Sequence, residues 1–514
     1  MVRSKAKFKK PISNIVDISG KPFNIDNLAY QASGSGRLST GLDAPTLSPT
    51  SAGVAENATL INRSQAMMRN NSWLHKGVKS DVANEIGNGI KPVPNSSNKQ
   101  FNSDILSLWN SSVSELDADG IYNIYGMQML AAKARREQGE CFIRIRPRRP
   151  QDGLTVPVQF QLLEPVFCPY DLDKILPNGN KVISGVELNK IGKRVAYWMY
   201  NYHPNTFSPF ESLQMVRVPA EQIIHYYKPE RIGALRASPE ISRAITKAHM
   251  LDKFDNAELT RKETRANFTG VITKPEYTDE DYLYDPMTGE DISEDHADVG
   301  MMDMEPGTFP SLLAGEDIKL FGGDSDGDNY IPFSRQQLMG IAAAIGVPYQ
   351  VATGDYSGLN DRLARVILNQ YHREIEQIQN LVTIHQFCRV IWNTYVDTAV
   401  LSGAVSATGF ENDRNDYIKC DHISDAFPYI QPEQDINAQI KAIDAGLDSR
   451  KATVKRRNKD VEVIDNQRAE DMKRELMLEL SKNQDEISIA VLEKLTDMLP
   501  EQPEQSQSNE NENE

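Results

Sequence analysis

Two helical patterns bracket an acidic, loop-rich insert, and no other feature of the sequence restricts the fold as much. Ile241, Ile245, Ala248, Leu251 and Phe254 recur every three or four residues, which predicts an apolar stripe on a helix running to about Arg265. Pro239 is tolerated in a first helical turn, and Ser238 before it is a suitable N-cap. A second helix is predicted from Ser334 to Ile345, stopped by Gly346-Val347-Pro348. Between them, residues 267–332 read as a small subdomain. It has a strand at Phe268–Thr273, an acidic loop-rich stretch at Glu276–Asp303 and a strand at Ile318–Phe321. The polar side of the first helix carries Lys247, Lys253, Arg261, Lys262 and Arg265, either as a solvated face or as a basic stripe lining a channel.

The rest of the chain predicts a mixed α+β body with polar ends. Residues 1–60, rich in Ser, Gly, Asn, Pro and Thr, read as an extended arm, and Glu501–Glu514 as a disordered acidic tail. Helices are expected over Ser64–Gly87 and Ile121–Arg136. Strands follow at Cys141–Arg146, Val156–Leu163, Val182–Leu188, Arg194–Tyr200 and Ile223–Tyr227. The segment from Thr353 through Gly354, Asp355, Tyr356, Ser357, Gly358 and Leu359 to Asn360 reads as a loop. A long helix is predicted after it, from Asp361 to about Ser402, with Leu363, Ile367, Tyr371, Ile375, Ile378 and Val382 on one face. Glu433–Leu499 is again helical and is divided at Gly446.

Charge and motifs remove whole classes of function. The net charge of -16, from 56 basic and 72 acidic residues, suits a conduit that repels phosphate better than a clamp that holds it. Cys141, Cys168, Cys388 and Cys420 are far apart and form no CxxC pair, so neither a zinc site nor a disulfide framework is expected. There is no GxxxxGK[ST] loop, no HExxH and no GxSxG. Asp324-Ser325-Asp326-Gly327-Asp328-Asn329 begins like a calcium loop, but Asn329 stands where glycine is needed and Arg335 where glutamate is needed. A solvated acidic turn is the expectation there. The basic Met1–Lys10 segment lacks the apolar stretch of a secretion signal, and no apolar run reaches membrane-spanning length. No enzyme, cofactor, metal or membrane association is expected.

A series of short segments then resembles one family. These are Gln138-Gly139-Glu140-Cys141-Phe142, Leu162-Leu163-Glu164-Pro165, Ile183-Ser184-Gly185-Val186-Glu187 and Ala196-Tyr197-Trp198. Further on come Val218-Pro219-Ala220-Glu221-Gln222-Ile223-Ile224-His225, Arg231-Ile232-Gly233-Ala234-Leu235-Arg236, Ile341–Tyr349 and Gly354-Asp355-Tyr356-Ser357. In order and spacing, over about residues 70–450, they resemble the lambda-type phage portal proteins. The chain departs after Asn360, where Asp361 precedes Arg362 in place of the family's serine pair.

The resemblance implies a portal fold in a dodecameric ring. An N-terminal arm (1–60) would precede a wing (61–237), a stem helix (238–266), a clip (267–332) and a second stem helix (333–346). A tunnel loop (347–360) would follow, then a tunnel and wing helix with the wing return (361–429), a helical crown (430–500) and the tail (501–514). It also implies a virion protein assembled in the host bacterial cytoplasm. The ring would pass double-stranded DNA and dock the terminase large subunit, then head–tail connector or adaptor proteins. Its wing would meet the major capsid protein and scaffold. Residues 353–360 would be the DNA-proximal loop, with Tyr356 and Asn360 closest to the duplex, unless Tyr356 packs against a neighbouring subunit. His225 reads as a strand residue of the wing core. The alternative is another ring-forming connector or capsid-associated protein, against which the length and the two helices flanking an insert both count.

Overall fold

The computed structural model describes residues 48–49, 51–206, 212–267, 271–273, 317–319, 330–427, 432–456 and 461–482. The arm up to residue 47, most of the insert including Asp324–Asn329, the stretch predicted helical beyond residue 482, and the acidic tail lie outside the described residues.

Four helices come first: α1 (Ser51–Asn70), α2 (Ser72–Ile86), α3 (Lys99–Ser112) and α4 (Ile124–Gln138), with β1 (Lys91–Pro94) between α2 and α3. The sequence reading has no helix at α3, and α1 and α2 depart from it in their bounds. The predicted Ser64–Gly87 helix is split at Asn71, whose side chain caps α2 by accepting the Leu74 amide at 2.7 Å. Helix α1 begins at Ser51, inside the stretch expected to be an extended arm. Tertiary contacts account for that: Asn57, Ile61, Ser64 and Met68 are buried along one side, and the Ser64 hydroxyl donates to the Glu137 carbonyl of α4 at 2.5 Å.

Helix α4 ends at Gly139 (φ +89°), where a Cβ would lie 2.4 Å from the Ser238 backbone, so only glycine allows the following strand to start there. Strands β2 (Glu140–Pro147), β3 (Val158–Leu163), β4 (Lys174–Ile175), β5 (Lys181–Ile183), β6 (Val186–Leu188), β7 (Arg194–Tyr200), β8 (Met215–Pro219) and β9 (Ile223–Tyr227) form two antiparallel sheets. Their orders are β3-β2-β9 and β4-β5-β6-β7-β8. The predicted Val182–Leu188 strand is a hairpin turning at Ser184-Gly185. Ile143, Ile145, Phe160 and Ile224 point into the main core with α2–α4, while Phe142, Leu163, Val186, Tyr197 and Val218 form a smaller core between the two sheets.

Helix α5 (Ser242–Asn267) starts later than predicted. Ser238 donates its hydroxyl to Asn57 Oδ1 at 2.5 Å and Glu240 is held by arginines, so tertiary partners draw the expected first turn off the helix axis. Strands β10 (Val271–Thr273) and β11 (Asp317–Lys319) pair antiparallel and bring the two ends of the insert together. Helix α6 (Tyr330–Ile345) returns beside α5, four residues longer at its start than predicted. Then come α7 (Tyr349–Thr353) and α8 (Asp361–Ile378), a π-helical segment (Gln379–Cys388) and α9 (Arg389–Leu401). The long helix expected from Asp361 is therefore continuous but wider-wound in its middle. α10 (Phe410–Tyr417) leads to β12 (Cys420–Ile423), which pairs with β1 across more than 300 residues of sequence. α11 (Pro432–Asp444), α12 (Arg450–Arg456) and α13 (Val461–Lys482) complete the described chain. The fold class is mixed α+β, as the sequence predicts.

Candidate channel elements and their ionic anchors

The α5–α6 pair is apolar at its base and aromatic farther out. Ile241, Ala244, Ile245, Ala248 and Leu251 share a core with Leu338, Ile341, Ala342 and Ile345. Toward the insert, the Phe254 ring lies 4.8 Å from Phe333 and 6.0 Å from Tyr330, whose hydroxyl donates to Asp255 at 3.0 Å. The predicted basic stripe does not form as one line. Lys253 and Lys262 are nine residues apart, hence about 180° around the helix. Arg261 pairs with Glu258 at 2.7 Å, and Lys262 lies 4.0 Å from the same carboxylate and over the Tyr330 ring. Lys253 is exposed, and the side chain of Arg265 lies outside the described residues.

The 353–360 segment is a tied turn. Thr353 ends α7 rather than belonging to the loop, and Gly354 (φ +80°) caps that helix. Asp355 accepts the Ser357 hydroxyl (2.5 Å), the Ser357 amide (3.0 Å) and the Tyr349 hydroxyl (2.9 Å), which hold its carboxyl down at about 2. It is an anion that organises the turn. Gly358 has a positive φ, and Tyr356 projects with 60% of its surface exposed. The Asn360 side chain is already engaged: its Oδ1 caps α8 by accepting the Leu363 amide at 2.9 Å. Asn360→Ala should therefore cost about 1 kcal/mol of stability. The check is backbone hydrogen exchange in the first turn of α8, which should speed up at Leu363 and Ala364 and leave α9 unchanged.

Two buried charge clusters fix these elements to the sheets. In the first, Arg135 donates to Glu85 (2.6 Å) and Glu240 (2.7 Å), and Arg136 to Glu240 (2.7 Å) and Asp81. Tyr371 donates to Asp81 at 2.9 Å, Thr383 to Glu85 at 2.6 Å, and the Gln379 amide to the Glu85 carbonyl at 2.6 Å. One cluster thus joins α2, α4, the turn before α5, α8 and the π segment. In the second, Glu140 accepts four donors: Arg236 Nε (2.6 Å), Tyr170 Oη (2.7 Å), His225 Nε2 (2.8 Å) and the Ala237 amide (3.2 Å). Despite burial, the Arg236 guanidinium and then the His225 and Tyr170 hydrogen bonds hold the Glu140 carboxyl down at about 2. Arg236 also donates to the Cys168, Ser184 and Pro165 carbonyls. Since Arg236 and Glu240 are four residues apart, the connector from β9 to α5 is fastened on both sides.

His225 is neutral in this setting. Its Nε2–H donates to Glu140 and its Nδ1 faces the Arg194 donor at 3.2 Å, a geometry that needs an unprotonated Nδ1. Burial pushes its pKa down to about 4. A depressed histidine means that the unfolded chain binds the extra proton first, so stability falls as pH drops from about 6.5 to about 4. The loss from this residue is on the order of 3 kcal/mol. Thermal melts across that range should show a shallower acid slope for His225→Gln than for the parent.

With this geometry in place, the comparisons with known proteins decide the family. The profile described as phage portal protein, lambda family, matches residues 35–379. The chain belongs to the lambda family of phage portal proteins. Among its relatives, the probable portal protein of Halomonas phage phiHAP-1 is 24% identical over 365 residues, covering 70% of this chain and 67% of that protein. The portal protein of Escherichia phage N15 and portal protein B of Escherichia phage lambda are each 20% identical, covering 55% of this chain and 56% of theirs. Among solved structures, a chain in the neck of a native GTA particle computed with C12 symmetry has a TM-score of 0.43 at 14% identity, covering 76% of this chain and 92% of that one. A chain in the neck of an empty GTA particle computed with C6 symmetry gives 0.43 at 13%, with 81% and 96% covered.

In this portal family member, the sequence reading found the loop but missed the anchors. His225 is a strand residue in the smaller core, as read. Glu85, Arg135 and Glu240 are not among the sequence candidates, Arg136 enters only as a helix end, and Glu140 and Arg236 enter only within the segments that carry the resemblance. One signal was available: Arg135 follows Gln128, Ala131 and Ala132 on the buried side of α4, so a charge falls where the period demands an apolar residue.

Proposed function

We propose that this chain forms a closed ring of about a dozen subunits at one capsid vertex, through which double-stranded DNA enters and leaves. The family match over residues 35–379 carries this reading. The paired helices, with an insert zipped at its base by β10 and β11, fit a stem ending in a clip. The sheets and α1–α4 would form the wing, and α11–α13 the crown. The clip would receive the terminase large subunit and later the connector proteins, and the wing the capsid protein and scaffold. The turn at 354–360 would approach the duplex through Tyr356, with Asn360 confined to capping α8. The role would be structural, in keeping with the family match, and the carboxylates of the two buried clusters, Glu85 and Glu140 among them, are paired with arginines. No helix among the described residues is long and apolar enough to cross a membrane.

Immunogold labelling of virions with an antibody to α11 tests the placement. Gold at a single vertex supports it; gold spread over the shell, or none on opened particles, contradicts it. The purified chain should show no ATP turnover above a buffer blank.

A further inference from the structure

The sheet β3-β2-β9 carries one strongly charged face that the channel reading does not use. Arg144 and Arg146 alternate with the buried Ile143 and Ile145 on β2, so both guanidinium groups leave the sheet on the side away from the main core. Arg148 continues the row just past the strand. Alternate residues of a strand are about 6.7 Å apart, so the three arginines form a line of about 13 Å. Their neighbours are neutral: Arg146 donates to Gln161 Oε1 at 2.6 and 3.1 Å, and Arg148 to Gln159 Oε1 at 2.8 Å. Arg144 has no acceptor among the described residues. Asp119, which takes the Gln161 amide at 3.2 Å, is the acid that acts on Arg146. None of the three arginines forms an ion pair with a described residue, in a chain whose net charge is -16. The Arg146 pKa is lowered, by burial first and then by repulsion from Arg144 and Arg148, as expected for cations crowded without enough counter-charge.

We propose that this arginine row is a second, sequence-independent binding surface for the phosphate backbone of duplex DNA, outside any channel. Guanidinium forks suit phosphate oxygens, and a flat row reads backbone, not base edges. The aromatic next along this face, Phe142, is fully buried in the smaller core, so among the described residues of this strand no exposed ring offers the stacking platform that single strands need. An acidic protein segment is the other polyanion that could lie here. A specific peptide needs pockets for its side chains, and the clefts beside Asp81, Asp119, Arg231 and Asn393 are lined by other residues.

The inference rests on the DNA-handling reading, but its test does not depend on ring formation because the row is complete within one subunit. The probe is covalently closed circular duplex DNA, which cannot thread a closed ring by an end. The parent and the triple variant R144Q/R146Q/R148Q, matched for melting temperature, are titrated with it over a salt series. The parent should bind, and the variant should bind at least tenfold more weakly at low salt. The dependence of log affinity on log salt should become shallower by about 2.7 per contacting subunit, from about 0.9 for each of three phosphates. Equal affinity and equal slope for the two proteins would overturn the proposal. So would failure of the parent to bind circular duplex while it binds a synthetic peptide of residues 501–514 through the same arginines, which would assign the row to an acidic segment. Failure to form a ring would count against the channel reading alone.

Discussion

Glu140→Gln should destabilise the fold by about 3 kcal/mol, nearly as much as Glu140→Ala, although glutamine has almost the same shape. The reason lies in the count of donors. Four N–H or O–H groups converge on the two carboxylate oxygens, two on each. A glutamine amide offers one oxygen and one NH2, so whichever way it turns, two donors meet a third. The charge that balances the buried Arg236 is lost as well, leaving that guanidinium with only the three carbonyls. Urea unfolding followed by tryptophan fluorescence, with Trp198 on the outer face of β7 reporting the second sheet, checks the size of the effect. A glutamine variant within about 0.5 kcal/mol of the parent would mean that the cluster does not hold the sheets to the α5 connector.

Arg135→Met should cost more, about 3–5 kcal/mol. Arg135 is fully buried between Glu85 and Glu240, with its guanidinium 5.6 Å from the Tyr226 ring centre. Methionine fills much of the volume but leaves Asp81, Glu85 and Glu240 to share Arg136. Protonation relieves a stranded carboxylate, so the deficit relative to the parent should be smaller at about pH 5 than at about pH 7. Paired denaturation curves at the two pH values measure this directly. A deficit independent of pH would point to lost packing, not to stranded charge.

These anchors also mark where the sequence stopped being informative. Strand β2 is legible because alternation is a local pattern, β7 and β9 because they are short runs of β-branched and aromatic residues, and α5 because its apolar stripe is long. Helix α3 was missed although it has Phe101, Ile105 and Trp109 at helical spacing, since serine and asparagine surround them and its Asn98 cap resembles a loop residue. The β1–β12 pair could not be read at all: Lys91–Pro94 holds two prolines, and its partner lies near the other end of the described chain. The π segment is set by Glu85, which takes bonds from Gln379 and Thr383 almost 300 residues away in sequence. The candidate turn at 354–360 was legible from its glycines and Asp355. The commitment of Asn360 to a helix cap could have been read from the Asn-Asp pair before an apolar period.

The central claim is that this chain closes into a ring around an axial channel. Native mass spectrometry of the purified full-length protein, with negative-stain images of the same sample, tests it most directly. The account predicts a single large assembly of about a dozen subunits with a central hole in end-on views. A stable monomer or dimer at every salt concentration tried would contradict it.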